Sequence, residues 1–190
     1  MRKAKPVGVR KVEVFGISNQ KFELLVALFS VGASVLFATS TLGGTTPSLP
    51  RPDHIVMVIE ENHSYSQIID SPNAPYINRL AAQSAVFTQS FGITHPSQPN
   101  YLALFSGSTQ RITDNSCPLT FATPNLGEAL LAAGLTFAGY SEDLPSVGSL
   151  ICSMGLYTRK HNPWVNWQDS ENNGLPATAN MPMTSFPTPA

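Results

Sequence analysis

Blocks of apolar residues separated by polar ones predict a layered α/β domain over residues 53–171. The run His54–Ile59 is short, apolar and β-branched, which is typical of a strand buried on both faces of a parallel sheet. Residues 74–84 carry apolar side chains at helical spacing, with Pro75 in the first turn. A helix is therefore predicted to follow the strand.

Two more helices and two more strands are predicted downstream. Residues 98–105 read as one helix, and residues 125–133 as another, with Asn and Glu at capping-box spacing and Gly134 as its stop. Val86–Phe91 and Leu135–Tyr140 have strand character. The resulting order, β-α-β-α-α-β, implies a layered α/β fold.

An uncharged apolar segment precedes this domain. Residues 24–44 contain no charged residue and are long enough for a signal peptide or for a helix that spans a bilayer. The basic region 1–23 carries six Lys or Arg against two Glu, as expected of a cytoplasmic flank, and residues 45–52 form a linker. A signal peptide cleaved after Ser40, an uncleaved anchor and a buried helix are the three open interpretations.

The first two interpretations predict export, to an extracellular or periplasmic location or to a membrane anchor facing outside, with membrane contact through residues 24–44. From residue 41 onward five Lys or Arg stand against ten Asp or Glu, a net charge of −5, which argues against a nucleic-acid-binding surface. Cys117 and Cys152 both follow the export segment. They are a disulfide candidate in an oxidising compartment, with two buried thiols as the alternative.

Three polar clusters lie where a strand ends or a helix begins. The first is Glu60–His63, directly after the first strand. Two adjacent carboxylates in that place are unfavourable to bury unless they are paired or bind a cation. A carboxylate next to an amide oxygen suits a divalent metal, and a solvated acidic turn is the alternative.

The second cluster is His95–Tyr101, at the start of the predicted helix 98–105. Ser97 is predicted to be the N-cap, where backbone N–H groups and the helix dipole favour an anion. A serine there can attack phosphorus, with a metal lowering the pKa of its hydroxyl and the Asn100 amide holding a phosphoryl oxygen. The alternative is an ordinary capping serine.

The third cluster is Tyr157–Trp164. Arg159 and Lys160 can form a cationic clamp for an oxyanion, and His161 can protonate a leaving group. The alternative is a basic surface loop.

Together these segments resemble a known family. HIVMVIEENHSYSQI, HPSQPNYLALFSGS, GYSEDLP and YTRKHNPWVNW occur in that order between about Asp53 and Asp169. They are similar to the bacterial phosphoesterases that include acid phosphatases and phosphatidylcholine-type phospholipases C, within the alkaline phosphatase superfamily. The resemblance implies the N-terminal part of a three-layer α/β/α fold with a mainly parallel sheet, preceded by an N-terminal hydrophobic helix.

The resemblance also implies roles for individual residues. Glu61 and Asn62 match the first ligands of a divalent metal of unknown identity, which would also contact Ser97, the nucleophile that forms a phosphoserine intermediate. Asn100 matches an Asn that helps to bind phosphate, and Lys160 and His161 match a pair near the phosphate. The implied substrate is a small phosphoester or a phospholipid. No oligomeric state is implied.

The chain departs from the family pattern in its last part. Such families complete the metal site with aspartates and a histidine from their C-terminal half, and no histidine follows His161 here. Residues 172–190 are proline-rich and predicted to be irregular, so the chain looks C-terminally truncated. An inactive fragment or a membrane-tethered binding module is the alternative function. A sulfatase is a weaker one, because the Cys/Ser-x-Pro-x-Arg segment of sulfatases has its arginine where this chain has Tyr101.

Overall fold

The computed structural model of the protein describes the backbone strand 11–18 and residues 52–187. The predicted export segment 24–44 lies outside the described residues, as does nearly all of the linker. Within the described part, no helix is long and apolar enough to cross a membrane.

Six strands and four α-helices make up the described part. The strands are β1 (Lys11–Ser18), β2 (His54–Glu61), β3 (Thr136–Ser141), β4 (Ser153–Met154), β5 (Tyr157–Thr158) and β6 (Asn180–Pro182). The helices are α1 (Tyr65–Ile68), α2 (Pro75–Ala81), α3 (Ser97–Ser106) and α4 (Leu126–Ala132). Short 3-10 turns lie at Arg159–His161, Trp164–Trp167, Ala177–Ala179 and Met183–Ser185.

The main sheet has the strand order β2-β1-β3-β6. β1 is antiparallel to both β2 and β3, whereas β3 and β6 pair in parallel. β2, β3 and β6 therefore run in the same direction, and their carboxyl ends lie toward one edge of the sheet. The predicted α/β class is confirmed. The sheet is mixed, because β1 runs opposite to both of its neighbours, β2 and β3. The three-layer alkaline phosphatase-like arrangement stays a prediction.

Three predicted helices and two predicted strands are confirmed by α2, α3, α4, β2 and β3. The burial predicted for β2 on both faces of a parallel sheet is wrong, because β2 is an edge strand that pairs antiparallel with β1 and most of its apolar side chains are about half exposed. At α4 the Asn125 side chain accepts a hydrogen bond of 2.9 Å from the Glu128 amide, as the capping pattern predicts. The strand predicted over Val86–Phe91 is wrong. Phe87 and Phe91 are 80% and 82% exposed, and without a neighbouring strand their β propensity has nothing to pack against.

An aromatic core lies between α3 and the sheet. Its buried members are Leu102, Phe105, Phe137, Trp164, Trp167, Leu175 and Ala179. Gly139 of β3 lies against the indole of Trp164, where a Cβ would overlap the ring. The absence of a side chain at this position of β3 therefore admits the largest residue of the core.

The two cysteines form a disulfide, with Cys117 Sγ and Cys152 Sγ 2.04 Å apart. The bond ties the loop after α3 to the residue that directly precedes β4. The predicted pairing is therefore confirmed, and the alternative of two buried thiols is wrong.

The segment expected to be irregular contains an ordered and buried portion. Asn180, at the start of β6, accepts hydrogen bonds from Asn162 Nδ2 (2.9 Å) and Trp164 Nε1 (3.2 Å) and donates to the Ser149 carbonyl (3.0 Å). Buried amide groups need such partners. Long-range polar contacts therefore order residues that have no periodicity of their own.

Candidate active site

A cavity of about 810 Å3 opens between the carboxyl end of β2 and the amino end of α3. Four residues that the sequence singled out line it, namely Glu61, Asn62, Ser97 and Asn100. Glu60, His95 and Tyr101 line it as well. The fold thus brings the first two polar clusters of the sequence to one place.

Ser97 is the first residue of α3 and is half-buried, and Pro96 is the N-cap. The prediction that Ser97 itself caps the helix is wrong by one position. A helix start ordinarily leaves four backbone N–H groups without partners. Here Pro96 and Pro99 have no N–H, and the amide of Gln98 donates to Asn115 Oδ1 at 3.1 Å. Of the four positions, only the amide of Ser97 is left to face an anion.

The Asn100 side chain holds the loop that precedes Ser97. Its Nδ2 donates to the carbonyls of Thr94 (2.6 Å) and Pro96 (3.1 Å), and its Oδ1 accepts from the Thr94 amide at 3.1 Å. Both amide hydrogens therefore already have acceptors. In the structure the amide therefore supports the loop before Ser97, and the predicted contact of Asn100 with phosphate stays a prediction.

His161 meets Glu61 from behind the cavity. His161 Nε2 lies 2.6 Å from Glu61 Oε1, with the histidine side chain 7% exposed and the glutamate side chain 22% exposed. The ring of Tyr101 lies beside the imidazole, with the two centroids 5.1 Å apart. His161 is not among the residues that line the cavity. His161 therefore contacts Glu61, the predicted metal ligand. Its predicted position next to phosphate stays a prediction.

Comparison with known proteins identifies the family. The model of the phosphoesterase family matches residues 69–189. The chain belongs to the phosphoesterase family. No solved structure matches the chain.

Curated relatives of this phosphoesterase chain carry phosphatase names. Phosphatidylinositol-3-phosphatase of Mycobacterium tuberculosis is 49% identical over 161 residues, which are 84% of this chain and 52% of the relative. The phosphate-repressible acid phosphatase of Penicillium chrysogenum is 28% identical over 60% of this chain and 28% of its own length. An acid phosphatase of Aspergillus fumigatus is 28% identical over 66% and 29%. The chain spans about half the length of the first of these relatives and under a third of the other two.

Arg159, in the third polar cluster, has a structural role. Arg159, expected in an oxyanion clamp, is 4% exposed and donates to the carbonyls of Leu150 (2.9 Å) and Leu119 (2.6 Å) and to Asn166 Oδ1 (3.2 Å). Desolvation by burial lowers the pKa of its guanidinium. Arg159 therefore joins three loops and is not available to a substrate.

Lys160 lies on the same turn as His161 and is half-buried. It is not among the residues that line the cavity. His161 contacts Glu61, which lines the cavity. The role of Lys160 next to phosphate stays a prediction.

The donor set fits one side of a hard divalent cation. Glu61, Asn62 and Ser97 offer carboxylate, amide and hydroxyl oxygens at one cavity, which are the ligand types that Mg2+, Ca2+ and Mn2+ prefer. Among residues 52–187 no group of three His, Cys, Asp or Glu side chains could hold a metal. Such ions take about six ligands, so further protein or water ligands are needed.

Sequence reasoning gave Tyr101 no role, although it included the residue in the second cluster, and it did not single out Asn115. Tyr101 lies four residues after Ser97, a spacing that puts both on one face of α3, and this could have indicated a place beside the site. Asn115 reaches the start of α3 from a loop. Nothing in the local sequence indicates that contact.

Proposed function

We propose that the chain hydrolyses phosphoester bonds at the cavity between β2 and α3, with Ser97 as the nucleophile. The observation that carries this proposal is that Ser97 shares one cavity with the Glu61-Asn62 pair. Family membership and the phosphatase names of the relatives support the reaction class.

Ser97 Oγ would attack phosphorus and form an O–P bond while the bond to the leaving alcohol breaks and the alcohol oxygen takes up a proton. Water would then attack the phosphoserine, release inorganic phosphate and return the hydroxyl to Ser97. The Ser97 amide would donate to a phosphoryl oxygen in both steps. Asn100 would hold the loop before Ser97 in place throughout.

A divalent cation held by Glu61, Asn62 and Ser97 would supply Lewis acidity, which lowers the pKa of the serine hydroxyl and offsets phosphoryl charge. The α3 amino end by itself offers a single amide to an anion. Charge compensation therefore has to come from outside the helix, which favours metal assistance.

For the substrate we propose a phosphomonoester, either a small molecule or a phospholipid headgroup. The name of the relative that is 49% identical, phosphatidylinositol-3-phosphatase, supports testing that lipid class first. Exposed Phe91 and half-exposed Leu104 line the cavity beside its polar groups. They offer apolar contact to the part of a substrate next to its phosphate.

We also propose that the protein is exported, with residues 24–44 as signal or anchor. The Cys117–Cys152 disulfide supports this, because such bonds persist in oxidising compartments and are rare in the cytosol.

The central experiment measures p-nitrophenyl phosphate and phosphatidylinositol 3-phosphate hydrolysis with Mn2+, Mg2+, Ca2+ or Zn2+ added after chelation. Ser97→Ala is expected to lower kcat by at least about a thousandfold, while Ser106→Ala, at the other end of α3, leaves it unchanged. Acid-quenched reactions should place the phosphoryl group on the peptide that contains Ser97. Turnover that survives Ser97→Ala would remove this serine from the mechanism.

One observation favours a second function, a phosphate-binding module without turnover. The described residues hold no group of three acidic, His or Cys metal ligands. Calorimetry with inorganic phosphate and Mn2+ separates the two. Binding that depends on Glu61, with no hydrolysis by the chain as it stands, would favour the binding module.

A further inference from the structure

We infer that His161 is a positioning residue, which holds the Glu61 carboxylate toward the cavity and is itself located by the ring of Tyr101. The inference rests on the proposed function, because it assigns Glu61 to the cation that assists Ser97. It departs from a direct role of His161 on phosphate or on the leaving group.

His161 contacts Glu61, the predicted metal ligand, from the side away from the cavity. Its Nε2 contacts Glu61 Oε1 at 2.6 Å, and its side chain is 7% exposed, whereas that of Glu61 is 22% exposed. Glu61 lines the cavity and His161 does not. A substrate in the cavity would therefore meet the carboxylate before the imidazole.

Glu61 is the last residue of β2. β2 is an edge strand that pairs only with β1 in the described sheet, and Ile55, Val56 and Val58 are about half exposed. The contact with His161 therefore adds a restraint on the direction of the carboxylate at the end of this strand. Outer contacts of this kind orient the ligands of metal sites.

His161, in contrast, lies on a well-anchored turn. The Arg159 amide donates to the Cys152 carbonyl and the Asn162 amide donates to the Arg159 carbonyl, each at 2.9 Å. The buried guanidinium of Arg159 adds three further hydrogen bonds. The anchored turn that carries His161 therefore fixes the position of the more exposed Glu61 side chain.

Tyr101 connects this arrangement to the nucleophile. It is 6% exposed, and its ring lies 5.1 Å from that of His161 at an interplanar angle of 38°. Ser97 and Tyr101 are four residues apart on α3, so one helical face carries both. Tyr101, His161 and Glu61 form a packed path from the nucleophile helix to the predicted ligand.

The test compares His161→Phe, which keeps a ring beside Tyr101 but removes the nitrogen, with His161→Gln, whose amide can still donate to Glu61. Phe105→Leu, which changes a buried ring on the same helix, α3, controls for general loss of stability. Mn2+ affinity is measured by calorimetry and by the electron paramagnetic resonance signal of the free ion. Hydrolysis is followed in parallel across Mn2+ concentrations.

His161→Phe is expected to weaken Mn2+ binding by about 10–100-fold, with His161→Gln between it and the native protein and Phe105→Leu unchanged. Raising the Mn2+ concentration should restore much of the turnover of His161→Phe, because the ligand is displaced rather than lost. A purely structural or acid-base role would not respond to the metal.

Native Mn2+ affinity in His161→Phe would overturn the inference, as would native protein that binds no Mn2+. Loss of turnover in His161→Phe that no Mn2+ concentration restores would also overturn it. The proposed function fails by a different result, turnover that survives Ser97→Ala, so the two failures are distinguishable.

Discussion

Replacing Asn100 with Asp separates two roles for this side chain, support of the loop before Ser97 and direct contact with phosphate. The structure favours the first, since Nδ2 donates to the Thr94 and Pro96 carbonyls and Oδ1 accepts from the Thr94 amide. Aspartate keeps the acceptor. It replaces Nδ2, which makes both donated hydrogen bonds, with an oxygen that faces the two carbonyl oxygens.

The loss of stability expected for Asn100→Asp follows from these hydrogen bonds. Each hydrogen bond contributes about 0.5–1.5 kcal/mol net, so two lost donors lower the free energy of unfolding by about 1–3 kcal/mol, and repulsion between oxygens adds to this. A loop shift of about 1 Å at Ser97 would lower kcat about a hundredfold. KM should change little, because no substrate contact is removed.

The assay pairs urea unfolding with steady-state hydrolysis of p-nitrophenyl phosphate. Asn115→Asp serves as the stability control, since its acceptor for the Gln98 amide is kept and a negative charge at the start of α3 is favourable. An Asn100→Asp protein of native stability, with raised KM and unchanged kcat, would refute the loop role. That result would favour direct contact between the Asn100 amide and phosphate.

Three further changes test the packing around the site. Gly139→Ala places a Cβ against the indole of Trp164 and should lower the free energy of unfolding by about 1–3 kcal/mol, read from the urea midpoint at constant m. Cys152→Ser opens a disulfide that spans 35 residues and should lower it by about 3–4 kcal/mol in the chain-entropy model; a native midpoint would contradict this. Hydrogen bonds from Ser116 lower the pKa of the Asp114 carboxyl group. The ionised carboxylate therefore stabilises the fold at pH values above the pKa of an ordinary carboxyl group. This stabilisation is lost as the pH falls through the lower pKa of the folded state. Asp114→Asn should therefore flatten the acid loss of stability below about pH 4, measured as the melting temperature against pH.

The elements that sequence predicts best are those with strong local signals. β2 follows from an unbroken apolar run, and α4 from a capping asparagine whose side chain makes the expected hydrogen bond to the Glu128 amide. Helix periodicity and capping are local, so the neighbours that decide them are within a few residues.

Elements that depend on distant partners are the ones missed. The charge pattern predicts a basic flank over residues 1–23, yet Lys11–Ser18 pairs with both β2 and β3, and its local strand signal is a short run that includes Val12 and Val14. Val86–Phe91 has the composition of a strand and no strand beside it. Strand formation is decided by pairing, which a single segment does not encode.

The site shows the same division between residue type and role. Glu61, Asn62 and Ser97 could be selected from sequence because they stand at a strand end and a helix start and match the family's motifs, and the fold brings them to one cavity. Asn100 and His161 were also selected, but their contacts lie with Thr94 and with Glu61. A polar residue near a site either meets the substrate or holds another residue that does. Only the fold decides which, because the deciding atoms are a loop carbonyl six residues earlier in the chain and a carboxylate on another strand.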